Sequence, residues 1–316
     1  MDNSNSNSIL IICDFSYWQY FTVYGSVSFF QKKYPQEAAY WIKPAEEVDQ
    51  KNLPNLLNCE NFKKVLKRYV MKRLETIDQL TKANYQDEID SADRIDIVFA
   101  VDDTLTKNFR KDLYVEYKAT RTISPKSYNI YAIKKYITDV IFKELELEKN
   151  YDYHMLMVEG AEADDVIACV CKNLAKDYKR TILYASDKDF LQLEGIDQYN
   201  LFGQKVEPKL GDKLITPKEY LKCKILLGDG SDNISKVFSG VGPKKALKLV
   251  NDPEALKKKL LEDQNARKQF ALNKKLISFD EIPKELEDHI VEKASQLLYE
   301  NEVINKHIDF KDFMSL

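Results

Sequence analysis

Histidine is scarce in this chain. There are three in 316 residues, His154, His289 and His307, and no two stand at ligand spacing. Histidine triads and zinc-hydrolase sites are therefore poor readings. Cysteine is scarce as well: Cys13, Cys59, Cys169, Cys171 and Cys223 are scattered and odd in number. That argues against a disulfide framework and for a reducing compartment. Cys169 and Cys171 lie about 200° apart around a predicted helix, so both are read as packing residues. No stretch nears the ~20 apolar residues that span a bilayer, so no membrane association is expected. The opening MDNSNSNS lacks a basic n-region and an apolar h-region. It is read as a disordered tail over 1–8 and not as a secretory signal. The expected location is cytoplasmic.

A large charge imbalance is also lacking: 48 Lys and Arg face 51 Asp and Glu, for a net charge of −3. An acidic total argues against a polyanion-binding protein, but the local distribution differs. Residues 107–135 hold eight Lys or Arg against two acids, and residues 240–275 hold ten against four. Two basic stretches are thus set in an otherwise acidic chain. With 44% hydrophobic and 31% charged residues, the chain has enough apolar material for a packed globular core.

Apolar runs at Ile9–Cys13, Ile95–Val101, His154–Val158 and Thr181–Ala185 predict strands, with a fifth at Asp197–Leu201. Helices are predicted after Asp14, over Phe62–Ala83, Ser127–Leu145 and Ala161–Ala175, and almost throughout from Thr216. Residues 31–61, with Pro35, Pro44 and Pro54, are read as mostly irregular. This alternation predicts an α/β fold with a mainly parallel central sheet flanked by helices. The expected units are a core over 9–215 and a helical subdomain over 216–316.

Acidic residues recur where the parallel strands end. Asp14 follows the first strand, Asp102 the second, and Asp187 and Asp189 the fourth. Strand carboxyl ends share one edge of such a sheet, where ligands bind. Glu162, Asp164 and Asp165 open the helix after the third strand, and Asp229 and Asp232 sit in a Gly-rich turn. So many carboxylates cannot share a small volume ionised without cations. Oxygen donors with neither His nor Cys suit Mg²⁺, with Mn²⁺ as a substitute. Two such ions about 3.5–4 Å apart suit phosphodiester hydrolysis. Each acidic motif alone is more simply a cap or a turn. Five of them at one edge are not well explained as five independent caps.

In order, CDF (13–15), VDD (101–103), EADD (162–165), SDKDF (186–190) and GDGSDN (228–233) resemble the acidic motifs of the flap endonuclease or 5′-nuclease family. FRKDLYVEYKATR (109–121) is similar to the family's basic segment, and SGVGPKKA (239–246) to its DNA-binding helical hairpin. LISFDEIP (276–283) looks most like the tailed-phage ribonuclease H branch. The resemblance covers about residues 9–250. It implies a PIN-like nuclease core with a C-terminal DNA-binding subdomain, and an arch or clamp over about 104–135. Asp14, Asp102, Glu162, Asp164, Asp165, Asp187, Asp189, Asp229 and Asp232 become metal-site acids, with the choice between Asp102 and Asp103 open. Arg110 and Lys118 become catalytic cations near the scissile phosphate. Tyr117 and Arg121, and Gly240, Gly242, Lys244, Lys245 and Lys248 of the hairpin, become DNA contacts, with Tyr117 read as able to stack on a base and K⁺ as a further ligand of the hairpin. Tyr114, Tyr128, Tyr131 and Tyr136 are read as helix packing.

The implied activity is cleavage at 5′ flaps, nicks and RNA–DNA hybrid ends, removing primers in replication, by a monomer. A single-stranded-DNA-binding protein or clamp is the expected protein partner; residues 305–316, with Ile308, Phe310 and Phe313, are read either as its docking segment or as a tucked-in terminal strand. For a phage protein the location becomes the host cytoplasm. A PIN-type ribonuclease and an inactive branched-DNA-binding protein remain the alternatives. A haloacid dehalogenase phosphatase lacks support, because Asp14-Phe15-Ser16 has no second acid.

Overall fold

The computed structural model of the chain describes residues 7–103, 108–121, 125–147 and 153–300. The expected tail lies almost wholly outside these residues, although Ser8 already opens the first strand. The expected docking segment 305–316 and parts of the expected arch, 104–107 and 122–124, also lie outside them.

Five strands form one parallel sheet: β1 (Ser8–Asp14), β2 (Arg94–Val101), β3 (Tyr153–Met157), β4 (Arg180–Tyr184) and β5 (Asp197–Tyr199). Their order is β3-β2-β1-β4-β5, and every pairing is parallel. The chain leaves β1 in one direction for β2 and later returns to its other side with β4. The cleft at a parallel sheet's carboxyl edge opens at such a reversal.

The strand sequences show why both faces are covered. In β1, Ile9, Ile11 and Cys13 enter one core, while Leu10 and Ile12 enter another. Successive side chains of a strand point to opposite faces, so a continuous apolar run means burial on both. On the first face lie α1 (Phe15–Lys33), α2 (Pro35–Trp41) and α3 (Glu60–Ser91). Helix α3 buries Phe62, Val65, Leu66, Val70, Leu74 and Ile77, the three- and four-residue spacing of one apolar stripe. It kinks at Tyr85 (φ −141°, ψ 33°). Segment 31–61 is more helical than its prolines suggest. Pro35 starts α2, where a proline costs no hydrogen bond.

After β2 come the short α4 (Phe109–Leu113), then α5 (Ile130–Tyr136), which runs on through a wider turn over Ile137–Phe142 into α6 (Lys143–Leu147). Helix α7 (Ala163–Leu174) covers the second face. Beyond a small hairpin, β6 (Lys209–Leu210) with β7 (Lys213–Leu214), the chain is helical: α8 (Pro217–Leu227), α9 (Pro243–Val250), α10 (Pro253–Glu262), α11 (Gln264–Ile277) and α12 (Lys284–Ser295).

The helical subdomain is shorter than expected. Cys223, Leu226, Val237, Phe238, Val241, Ala246, Val250 and Ala266 form its own core. From Phe279 the chain returns to the sheet: Phe279, Ile282, Ile290, Ala294 and Leu298 join the core under α7. Residues 279–298 thus pack with the sheet core, and the boundary at 216 has a counterpart near 278. The hinge is tied down by Gln192, which donates to the Ile277 carbonyl at 3.1 Å and accepts from the Phe279 N–H at 3.0 Å. All five cysteines are free and buried. No helix among the described residues is long and apolar enough to cross a membrane.

Candidate active site

Asp14 ends β1 and caps α1, where its Oδ1 accepts the Tyr17 N–H at 3.1 Å. The next residues anchor it from below. Phe15, Trp18, Phe99 and Phe142 pack ring to ring at 5.4–5.8 Å. Asp102 leaves β2 toward α7, with Oδ1 accepting the Ala163 N–H at 2.8 Å and Oδ2 accepting the Ser16 hydroxyl at 2.8 Å. Asp103 instead accepts the Gly160 N–H at 2.9 Å. Asp102 is therefore the residue of this pair that faces Asp14, and the electrostatic coupling of Asp14 to Asp102 agrees.

Burial raises the Asp14 carboxyl to about 6, with Asp102 and Asp187 adding repulsion. Burial likewise pushes Asp164 well above the usual carboxylate range, reinforced by Asp14 and Asp187. Asp187 caps the turn after β4, accepting the Asp189 N–H at 2.8 Å. Asp229 accepts both the N–H and the hydroxyl of Ser231, at 2.8 and 2.6 Å. The turn that carries it requires Gly228: its φ is +65°, and a Cβ there would stand 2.4 Å from the Ile234 carbonyl oxygen. Glu162, Asp164, Asp187, Asp189, Asp229 and Asp232 all line one cleft.

Cations pair with several of these acids. Lys118 reaches Glu162 Oε1 at 2.5 Å, and Arg121 reaches Asp232 at 2.6 Å. Lys224, in the last turn of α8, bridges Asp189 and Asp229, with Asp229 at 3.0 Å. Against its burial, Lys118 and Arg110 hold the Glu162 carboxyl below its ordinary value. Among the described residues, none of Asp14, Asp102, Asp164 and Asp187 makes an ion pair, and no three acidic side chains converge on a chelating point as they stand.

Four expected roles need correction. Asp165 does not face the cleft. It is fully buried, pairs with both Arg110 terminal nitrogens at 3.0 and 2.7 Å, and accepts the Glu162 N–H at 3.1 Å. Arg110, 3% exposed, lines the cleft with its nitrogens already engaged. Its Nε donates to the Leu276 carbonyl at 3.0 Å, and its remaining nitrogens hold Asp165 and Glu162. It positions the acids and the α11 end together. Tyr117 is buried at 4% exposure, with its hydroxyl donating to Glu162 at 3.0 Å, so its ring is not free to stack on a base. Tyr131, read as packing, is 66% exposed, whereas Tyr128 is buried.

The basic loop is docked on the Gly-rich turn. The Lys118 N–H donates to the Asp232 carbonyl at 3.0 Å, and Asn233 Nδ2 donates to the Glu116 carbonyl at 3.0 Å. Lys118 and Asn233 both adopt left-handed backbone, at φ 57° and 62°. Gly240, Gly242, Lys244, Lys245 and Lys248 lie apart on the α9 hairpin and line neither cavity. The three lysines are exposed, and Gly240 turns at φ +68°.

Lys224 was missed by sequence reasoning, because a lysine ending a helix reads as a dipole partner. The signal available was its place five residues before Asp229. Lys134 was also unassigned. Burial lowers its ammonium's pKa, against the pull of nearby Asp102 and Asp14.

Comparison with known proteins agrees with this geometry. Residues 68–220 match the 5′-3′ exonuclease, N-terminal resolvase-like domain. A 5′-3′ exonuclease of Buchnera aphidicola subsp. Schizaphis graminum is 32% identical over 186 residues, covering 56% of this chain and 57% of that protein. The thermostable DNA polymerase I of Thermus thermophilus is 31% identical over 161 residues, 49% of this chain and 18% of the polymerase. The chain thus spans little more than half of the Buchnera protein and a fifth or less of the polymerase. The bacteriophage T5 D15 protein, co-crystallised with metal ions, superposes with a TM-score of 0.55 at 17% identity, covering 92% of this chain and 99% of that one. The T5 D15 flap endonuclease in a pseudo-enzyme–product complex with DNA and metal ions gives 0.54 at 15% identity, covering 92% and 98%. The parallel sheet, the helices on both faces and the helical extension are the fold of those T5 proteins, and residues 68–220 are similar to the 5′-3′ exonuclease N-terminal domain.

Proposed function

We propose that the chain is a divalent-metal-dependent 5′ nuclease that hydrolyses phosphodiester bonds at 5′ flaps, nicks and RNA–DNA hybrid ends. The single observation that carries this reading is the cleft itself. Acids from the start of α7, the turn after β4 and the turn after α8 line it, Asp14 and Asp102 at the ends of β1 and β2 lie close enough to repel one another beside Asp187, and Lys118 and Arg121 pair with its acids. The donor set fits a hard cation, because it is all carboxylate oxygen and its deepest members repel one another in the protein alone. Asp14, Asp102, Asp164, Asp187, Asp189, Asp229, Asp232 and Glu162 are the residues that would hold it. Asp165 supports them through Arg110. Mg²⁺, with Mn²⁺ in its place, would supply a nucleophile from water at neutral pH and counter-charge for the phosphate.

The chain's own residues do the rest. Lys118 and Arg121 present fixed positive charge where the attacked phosphate becomes more negative. The exposed Lys244, Lys245 and Lys248, on a helix that starts behind a Gly-Val-Gly turn, hold the duplex backbone. A K⁺ at that turn would share the Gly240 carbonyl, which accepts the Lys245 ammonium at 3.3 Å. The role that follows is primer removal during replication, in the cytoplasm (the host's, for a phage), by a monomer working beside a single-stranded-DNA-binding protein or clamp.

Flap, nicked and RNA–DNA substrates, each with Mg²⁺ and with EDTA, test the reading. Cleavage with Mg²⁺ and none with EDTA is expected. Binding without cleavage of any substrate would make the chain a branched-DNA-binding protein instead.

A further inference from the structure

The carboxylates of the cleft fall into two sets. Asp14, Asp102, Asp164 and Asp187 have no ion-pair partner among the described residues. Asp189 and Asp229 share one ammonium, that of Lys224, which is 12% exposed. The two acids come from different elements, the turn after β4 and the turn after α8, so Lys224 joins parts of the chain some 40 residues apart. Lys118 and Arg121 each neutralise one acid from a loop. Lys224 neutralises two, from a regular helix whose carbonyl at that position accepts the Gly228 N–H at 2.8 Å.

We propose that Lys224 is an internal counter-ion, which fills the position between Asp189 and Asp229 and must leave them before a divalent cation is held there. The inference rests on the metal reading above and adds an order to it. Asp14, Asp102, Asp164 and Asp187 carry no competing ammonium; Asp189 and Asp229 do. An ammonium and a divalent ion compete for the same oxygens, so the Asp189–Asp229 position binds more weakly by the cost of moving the lysine.

The structure also provides a place for the lysine to go. A second cavity of about 580 Å³ shares Asp187, Asp189 and Asp229 with the cleft and is lined by Lys224, Tyr220 and Leu227. A flexible four-carbon stem can swing the ammonium into it without moving α8. A phosphate of a bound strand in that cavity would satisfy the displaced charge. Strand binding and metal binding at Asp189 and Asp229 would then strengthen one another by the same factor, as linkage requires.

Mn²⁺ titration without nucleic acid, followed by calorimetry and by the electron paramagnetic resonance of free Mn²⁺, tests this on wild type, Lys224→Met and Lys224→Arg. Wild type and Lys224→Arg should show one tight and one weak step. In Lys224→Met the weak step should tighten at least tenfold while the tight step holds. A merely structural lysine would lower thermal stability in the variant but would not tighten an ion. An unchanged or weakened second step in a folded Lys224→Met protein overturns the proposal. Lys224→Gln takes its place if far-ultraviolet dichroism shows the Met variant unfolded. No Mn²⁺ binding by wild type would instead overturn the metal reading, and this inference with it.

Discussion

Arg110 and Asp165 form a fully buried bidentate pair, at 3.0 and 2.7 Å, directly behind the acidic cleft. The same guanidinium holds the Leu276 carbonyl and touches Glu162 at 3.3 Å. Three parts of the chain, the basic segment, the start of α7 and the end of α11, therefore depend on one side chain. Removing one partner of a buried pair strands the other charge, at a cost of about 3–5 kcal/mol. Arg110→Ala should lose stability of that order in urea unfolding. Arg110→Lys should recover only part, because an ammonium cannot make the parallel two-nitrogen contact. A loss under 1 kcal/mol for Arg110→Ala would show that the pair is not structural.

Asp14 offers a pH test in the metal-free protein. Burial raises its carboxyl from the ordinary 3.8 to about 6, with Asp102 and Asp187 repelling it. Between those values the folded protein binds more proton than the unfolded chain, so stability falls as pH rises through this window. Above pH 6 the ionised carboxylate is a standing penalty; below about 4 it contributes nothing. Asp14→Asn should therefore be more stable than wild type at pH 8 in EDTA, by about 1–3 kcal/mol at ~1.4 kcal/mol per unit. The gain should vanish near pH 4. Cleavage with Mg²⁺ should be abolished. A variant equally destabilised at both pH values would mean that Asp14 matters as the cap of α1 instead.

The α9 hairpin makes a separate prediction, since Lys244, Lys245 and Lys248 are exposed and lie outside the cleft. Each phosphate contact contributes close to one unit to the slope of log K against log[salt]. Lys244→Ala with Lys245→Ala should flatten that slope by about 2 for duplex binding while Mn²⁺ affinity stays unchanged. A slope equal to wild type would assign these lysines to solvent.

Much of this architecture can be read in the sequence, for a physical reason. Strands buried on both faces must be continuous apolar runs, so Ile9–Cys13 and Ile95–Val101 announce themselves, and the acids that end them stand out. What could not be read is the direction of side chains at helix starts. Glu162, Asp164 and Asp165 look equivalent as EADD, yet successive helical positions turn by about 100°. That rotation sends Asp165 into the protein and leaves Asp164 in the cleft. Arg110 and Tyr117 misled for a related reason: a basic, aromatic stretch suggests a solvated surface, whereas long-range partners at Asp165, Glu162 and Leu276 draw both residues inside. The return of 279–298 to the sheet was equally hidden, because α12 has the same helical pattern whichever core it covers.

Lys118 carries the sharpest prediction. Its backbone is left-handed at φ 57°, a conformation that costs a non-glycine residue roughly 1–2 kcal/mol. The strain persists because the N–H is held by the Asp232 carbonyl and Asn233 ties down the Glu116 carbonyl. Such a residue is held in place for its side chain, which points at Glu162. If the ammonium serves the phosphate as charge builds, Lys118→Ala should slow single-turnover cleavage by about 10²–10³. Substrate affinity should change far less. Lys118→Gly should cut equally slowly yet be the more stable of the two, because glycine relieves the backbone strain without restoring the charge. Both variants free Glu162 from its lysine, so the Mg²⁺ midpoint should fall or hold, and not rise. A rise would make the lysine an organiser of the metal site. Equal, modest losses in rate and affinity, cured by saturating enzyme, would reduce it to one more phosphate contact on a basic loop.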